Sequence, residues 1–135
     1  MKAEELNNDD GYSTTGLNGY DPVAYFTMGK AVRGSGHHVA VFDGVSYLFN
    51  SEENKNAFEA QPAGYVPAYG GYCAYGVSLG KKFVGDPEVW KIVGDKLYFA
   101  LDRDIQCHWL QDIAGHIRQA NSNWNKIKSI VPAQL

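Results

Sequence analysis

The chain has 135 residues, 44% of them apolar and 13% aromatic, which is enough for one domain with a real core and is not the composition of a disordered segment. Twelve Lys and Arg against fifteen Asp and Glu leave a formal charge of −3, without the basic stripe that nucleic acid or an anionic membrane surface calls for. Two cysteines are too few for a disulfide framework or a four-Cys zinc cage, and no apolar run approaches the roughly 18 residues of a membrane span.

Met1 to Asp10 is polar and lacks the apolar centre of a signal peptide, so residues 1–10 read as a flexible arm, or equally as a mature N-terminus behind an added start Met. No internal repeat or low-complexity linker stands out, which makes residues 11–130 one domain and residues 131–135 a C-terminal tail. Asp21-Pro22 predicts a short helix start, with Asp21 as N-cap and Pro22 where an N–H would be unpaired anyway. Two β-rich runs, 39–42 and 45–49, flank Asp43-Gly44, the favoured centre of a type I′ hairpin turn. Ser51-Glu52-Glu53 then opens a helix that runs to about Ala60 and stops before Pro62.

From Pro62 to Leu79 the chain is rich in Gly and Tyr, suggesting close backbone approaches lined by amphipathic rings. Runs 89–93 and 96–99 about Gly94-Asp95 predict a second hairpin. Leu101, Ile105, Trp109, Ile113, Ile117, Ala120 and Trp124 recur at intervals of four and three, one apolar stripe of a helical region that Gly115 breaks or bends. These elements predict an α+β fold, a small single domain of two β-hairpins packed with helices.

Nucleotide-binding and common hydrolase motifs are missing: there is no Gly-x-Gly-x-x-Gly, Walker, Gly-x-Ser-x-Gly or His-Glu-x-x-His. Glu52 and Glu53 read as first-turn charges, Asp102 as a helix cap and Lys81-Lys82 as a solvated turn. No nucleophile, base and orienter can be assembled, so the residues point away from an enzyme. His37 and His38 are adjacent, and on a regular strand their rings would face opposite ways. Cys107-His108 on a helix diverge by about 100° and read as surface residues. His116, at the edge of the apolar stripe, reads as a hydrogen-bonded packing residue. Cys73 is the strongest single candidate, since it follows Gly70-Gly71 where a helix could begin, and a helix N-terminus favours thiolate. Its competing reading is a small buried core residue.

Gly19-Tyr20-Asp21-Pro22-Val23-Ala24-Tyr25-Phe26, Tyr47 to Asn54, Phe58, Pro62 and Tyr65 together resemble the YHS-domain family. Tyr69-Gly70-Gly71-Tyr72-Cys73-Ala74 and Asp86-Pro87-x-x-Trp90 look like its longer, stand-alone bacterial branch, and the resemblance runs from about Gly19 to Trp124. It implies a YHS-like fold and metal handling, because the family pattern carries thiolates suited to soft or borderline metals. Ala24, Asn50 and Asn54 stand where those three cysteines would be, so the thiolate cage is missing. The resemblance also implies export to the periplasm, with the leader absent from this chain.

Taken with the residues, the resemblance implies a non-enzymatic, copper-associated binding domain. Cys73 would anchor a copper or zinc ion with His37 or His38, and the Met28 thioether would join for Cu(I). The alternative is a metal-free module in which Tyr65, Tyr69, Tyr72, Tyr75 and Trp90 line a pocket for a small molecule or peptide. The same Gly/Tyr surface would serve equally as a homo-oligomer interface. A thiol enzyme using Cys73 needs a His within about 3–4 Å of its sulfur. Cys73 and Cys107 are expected to be unpaired, because Cys107 points to the polar side of its helix.

Overall fold

In the computed structural model, which describes residues 14–135, both expected hairpins form, and the reason lies in their turns. Asp43 and Gly44 take φ of 55° and 78°, and Gly94 and Asp95 take 55° and 64°. Those left-handed pairs match the twist of the flanking strands. The expected arm over residues 1–10 lies outside the described residues. The fold is α+β, as the sequence predicts, and the described chain falls into two compact units, one ending at Tyr65 and one running from Val66 to Leu135.

The first unit holds β1 (Thr14–Thr15), α1 (Ala24–Thr27), β2 (Ser35–Phe42), β3 (Val45–Phe49), α2 (Glu52–Ala60) and the single turn α3 (Pro62–Tyr65). Its sheet has the order β1-β3-β2, with β1 parallel to β3 and β2 antiparallel to it. Ser51 caps α2 by accepting the Asn54 N–H at 3.1 Å, and Glu52 and Glu53 occupy its first turn. The core gathers on Phe58, whose ring centre lies 5.1 Å from that of Phe49 and 5.2 Å from that of Tyr47.

The second unit holds α4 (Ala74–Ser78), β4 (Asp86–Val93), β5 (Lys96–Ala100), α5 (Arg103–Leu110) and α6 (Ile113–Ile127). Trp109 and Ala120 of the predicted stripe are buried with Tyr69, Val77, Tyr98 and Ile127, and Ile113, Ile117 and Trp124 pack against them. Leu101 departs from the stripe and is exposed, because it precedes the helix that Asp102 caps. The break falls before Gly115. Gln111 ends one helix and Asp112 caps the next, accepting the Gly115 N–H at 3.0 Å, so Gly115 sits inside the first turn of α6. Residues 131–135, expected as a tail, form one 3-10 turn at Pro132–Gln134, and Leu135 packs against the core.

A second correction concerns repetition. Each unit contains a left-handed turn, Leu17-Asn18 (φ 53° and 52°) in one and Tyr69-Gly70 (φ 55° and 62°) in the other. A tyrosine follows and makes an antiparallel bridge, Tyr20 to Arg33 and Tyr72 to Val84. The next residue, Asp21 or Cys73, gives its N–H to the carbonyl of Val32 or Phe83 and puts its side chain on a short helix. Then comes a hairpin whose register shifts once, between Ser35 and Val39 or between Asp86 and Trp90. A side-chain-capped helix carrying a buried aromatic, Phe58 or Trp109, ends the plan. The chain therefore does contain an internal structural repeat. The matching positions share a role more than an identity, which is why no self-similarity stands out in the sequence.

Candidate functional site

Asp21 is fully buried, and a buried carboxylate persists only when its lone pairs are filled. Oδ1 accepts the N–H groups of Val23 (2.8 Å) and Ala24 (3.2 Å), which fixes the entry to α1. Oδ2 accepts the Asn50 N–H (2.9 Å) and the Asn54 side-chain amide (2.8 Å). One carboxylate thus ties the first helix to the end of β3 and to α2. The sequence marks Asp21 as a cap, and the second half of its task is visible only once the strand end arrives beside it.

That tie opens a groove between α1 and α2, with a cavity of about 520 Å³. Val23, Met28 and Ala57 supply its apolar lining and Asn50, Ser51 and Asn54 its neutral polar lining, together with Thr27 and Glu53. Asn50 and Asn54 both line it, and Ala24 is buried one residue from the groove-lining Val23. Glu53 makes no ion pair among the described residues, whereas neighbouring Glu52 and Glu59 are engaged by Lys55.

The expected metal donors are divided between the two units. His37 and His38 lie in β2 of the first unit and Cys73 in the second. His37 is exposed and its backbone N–H meets Ser35 Oγ. The His38 ring donates from Nδ1 to Glu52 Oε1 at 3.0 Å. This bond, followed by the Lys55 charge, holds the Glu52 carboxyl below its ordinary value. Met28 is exposed at the groove, in the unit that lacks Cys73. Among the described residues no three His, Cys, Asp or Glu side chains are grouped as a metal site requires. The expected set draws His37 and His38 from the first unit and Cys73 from the second.

Cys73 does stand at a helix start, as its sequence position predicts, and its Sγ accepts the Gly76 N–H at 3.4 Å. It is 1% exposed in an apolar cluster with Val89 and Ala100, against which Tyr75 and Ile105 pack. The competing core reading therefore describes it. Both cysteines are free, with Cys107 exposed, as expected.

The aromatic residues of the expected ring-lined pocket are each engaged within their own unit. Tyr69 is buried against Tyr98 and Trp124, and its hydroxyl donates to Asn121 Oδ1 at 2.8 Å. Burial raises its pKa, and the same cause raises that of Tyr98. Tyr72 lies tilted against Trp124, Tyr65 meets Phe26 edge-on at 5.3 Å in the other unit, and Trp90 is half-buried in β4 with its carbonyl accepting from Gln106. Lys82, read from the sequence as a solvated turn, is buried. Its Nζ donates to the carbonyls of Lys128 (2.9 Å) and Ile130 (2.6 Å) while lying over the Tyr72 and Trp124 rings.

No helix of the described residues is long and apolar enough to cross a membrane. No protein-family model matches the chain, and no match is found among curated proteins or among solved structures.

Proposed function

We propose that the chain is a non-enzymatic binding domain of the YHS type whose first unit takes a small organic molecule in the α1–α2 groove. The observation that carries this reading is the convergence of Asn50 and Asn54, two of the resembled family's ligand positions, on one cavity with Met28. Replacing thiolates with amides exchanges metal donors for hydrogen-bonding groups, since a neutral amide is a poor ligand for copper or zinc. The apolar wall suits a small hydrocarbon body, and the Glu53 carboxylate, which has no ion pair among the described residues, favours an amine on it. Cys73 has apolar neighbours and takes no part.

The test is isothermal titration of the purified chain with benzylamine, alongside Cu(I) and Zn(II). Saturable benzylamine binding that weakens about tenfold or more in Glu53→Gln and in Asn50→Leu is expected, a loss of about 1.4 kcal/mol for each tenfold step. Both residues are exposed, so their replacement leaves the core intact. Stoichiometric copper or zinc binding that vanishes in Cys73→Ser would overturn the reading in favour of a metal-binding domain.

A further inference from the structure

The second unit carries a cavity of its own, of about 470 Å³, between α4 and the start of α6. Its chemistry is the reverse of the first. Tyr75, Ser78 and Leu79 form one side, and His116, Arg118 and Gln119 come from α6. Asp112 also borders it, but its Oδ1 is committed to the Gly115 N–H, and Ser78 donates its hydroxyl to the Tyr75 carbonyl. Arg118 makes no ion pair among the described residues, and the His116 ring makes no hydrogen bond there, resting edge-on against Tyr75 at 5.1 Å between ring centres. Arg118 and His116 thus border the cavity with their donors uncommitted, the Gln119 amide adds a further donor, and the Asp112 carboxylate is the one acidic group in the lining.

An uncommitted guanidinium beside an imidazole matches the oxygens of a carboxylate or phosphate, and a planar guanidinium can hold such a group through two donors at once. The opposite wall is apolar and aromatic, with Leu79 61% exposed, and would cover a hydrophobic body. We infer that the cavity between α4 and α6 is a second ligand site, selective for a small organic anion with an apolar or aromatic body, held by Arg118 and His116 over Tyr75 and Leu79. This site belongs to a different unit from the α1–α2 groove and draws on none of its residues, so either can fail alone.

Benzoate, benzamide and inorganic phosphate, titrated into isotopically labelled full-length protein and followed by backbone amide shifts, test it. Benzoate is expected to shift the amides of Ser78, Leu79, Gly115 and His116 saturably. Its affinity is expected to drop about tenfold or more in Arg118→Gln and by a smaller factor in His116→Gln. Benzamide, which has the same shape without the charge, is expected to bind at least tenfold more weakly. If phosphate shifts the same amides, the anion subsite stands and the body adds affinity. No saturable benzoate shift at these residues, equal binding of benzamide, or unchanged affinity in Arg118→Gln would each overturn the inference.

Discussion

Asp21 and Cys73 hold the same place in the two units and start the helix that follows by different chemistry. Each gives its N–H to a loop carbonyl, and each accepts a helix N–H on its side chain. Around Asp21 the structure supplies two further donors, from Asn50 and Asn54. At the matching positions of the second unit stand Leu101 and Ile105, and Ile105 packs against the thiol. A carboxylate needs the amides and a thiol does not, so the residues change as a set.

From that follows an asymmetry in stability. Asp21→Ala orphans four donors at a buried point and is expected to cost about 3–5 kcal/mol in urea unfolding. Cys73→Ser keeps an acceptor for Gly76 and is expected to cost about 1–2 kcal/mol. Cys73→Asp places a carboxylate among Val89, Ala100 and Ile105 with too few donors, so it is expected to be the worst of the three at neutral pH. A Cys73→Asp protein as stable as the parent would contradict the account.

Gly115 gives a test of sign. Replacing a helical Gly by Ala ordinarily stabilises by roughly 0.5–1 kcal/mol. A Cβ here would run into the Asp112 carboxylate that caps α6. Gly115→Ala alone is therefore expected to be neutral or destabilising, while the same change made on an Asp112→Ala background recovers the usual gain. Thermal unfolding of the four proteins in that cycle measures the coupling.

Lys82 joins the loop after α4 to the end of α6, where helix carbonyls lack intrahelical partners. Lys82→Met keeps the apolar stem over Trp124 and removes the donors, so it is expected to cost about 1–3 kcal/mol, with amide exchange rising first over the last turn of α6. Unchanged exchange there would contradict the clamp.

Alkaline behaviour reports on the same groups. Burial, with a smaller contribution from the Asp43 charge, raises Tyr47 from 10.0 to about 12, and burial raises Tyr69 and Tyr98. A raised acid contributes stability that is present below the unfolded value and is lost as pH climbs through the folded one. Burial lowers Lys82, which works the other way: its contribution grows with pH between the lowered folded value and the ordinary 10.5. Three tyrosines against one lysine make loss the net expectation above about pH 10. Phenolate absorbance is expected to appear together with unfolding, and Tyr47→Phe to push that transition to higher pH. Tyr47 ionising in the folded chain near the free value would contradict this.

The local chemistry of turns and caps was legible from the sequence. Asp-Gly and Gly-Asp marked the hairpins, and Ser51 and Asp102 marked helix starts, because each depends on residues within a few positions. What required the fold was action at a distance. The Asp21 tie reaches to Asn50 and Asn54, and Lys82 beside Lys81 looks like a solvated pair until α6 brings Lys128 and Ile130 to it. Glycine and tyrosine density does not say where the rings pack, and Tyr69 and Tyr72 lie against Trp124 of the apolar stripe. The grooves themselves follow from neighbouring helices, which no spacing within one segment encodes.

Amide-shift mapping of the labelled chain with benzylamine tests the central claim most directly. The account predicts saturable shifts confined to Thr27, Met28, Asn50, Glu53 and Ala57, saturating in Glu53→Gln only at about tenfold or more higher benzylamine. Shifts scattered over the surface without saturation, or none in the α1–α2 groove, would contradict it.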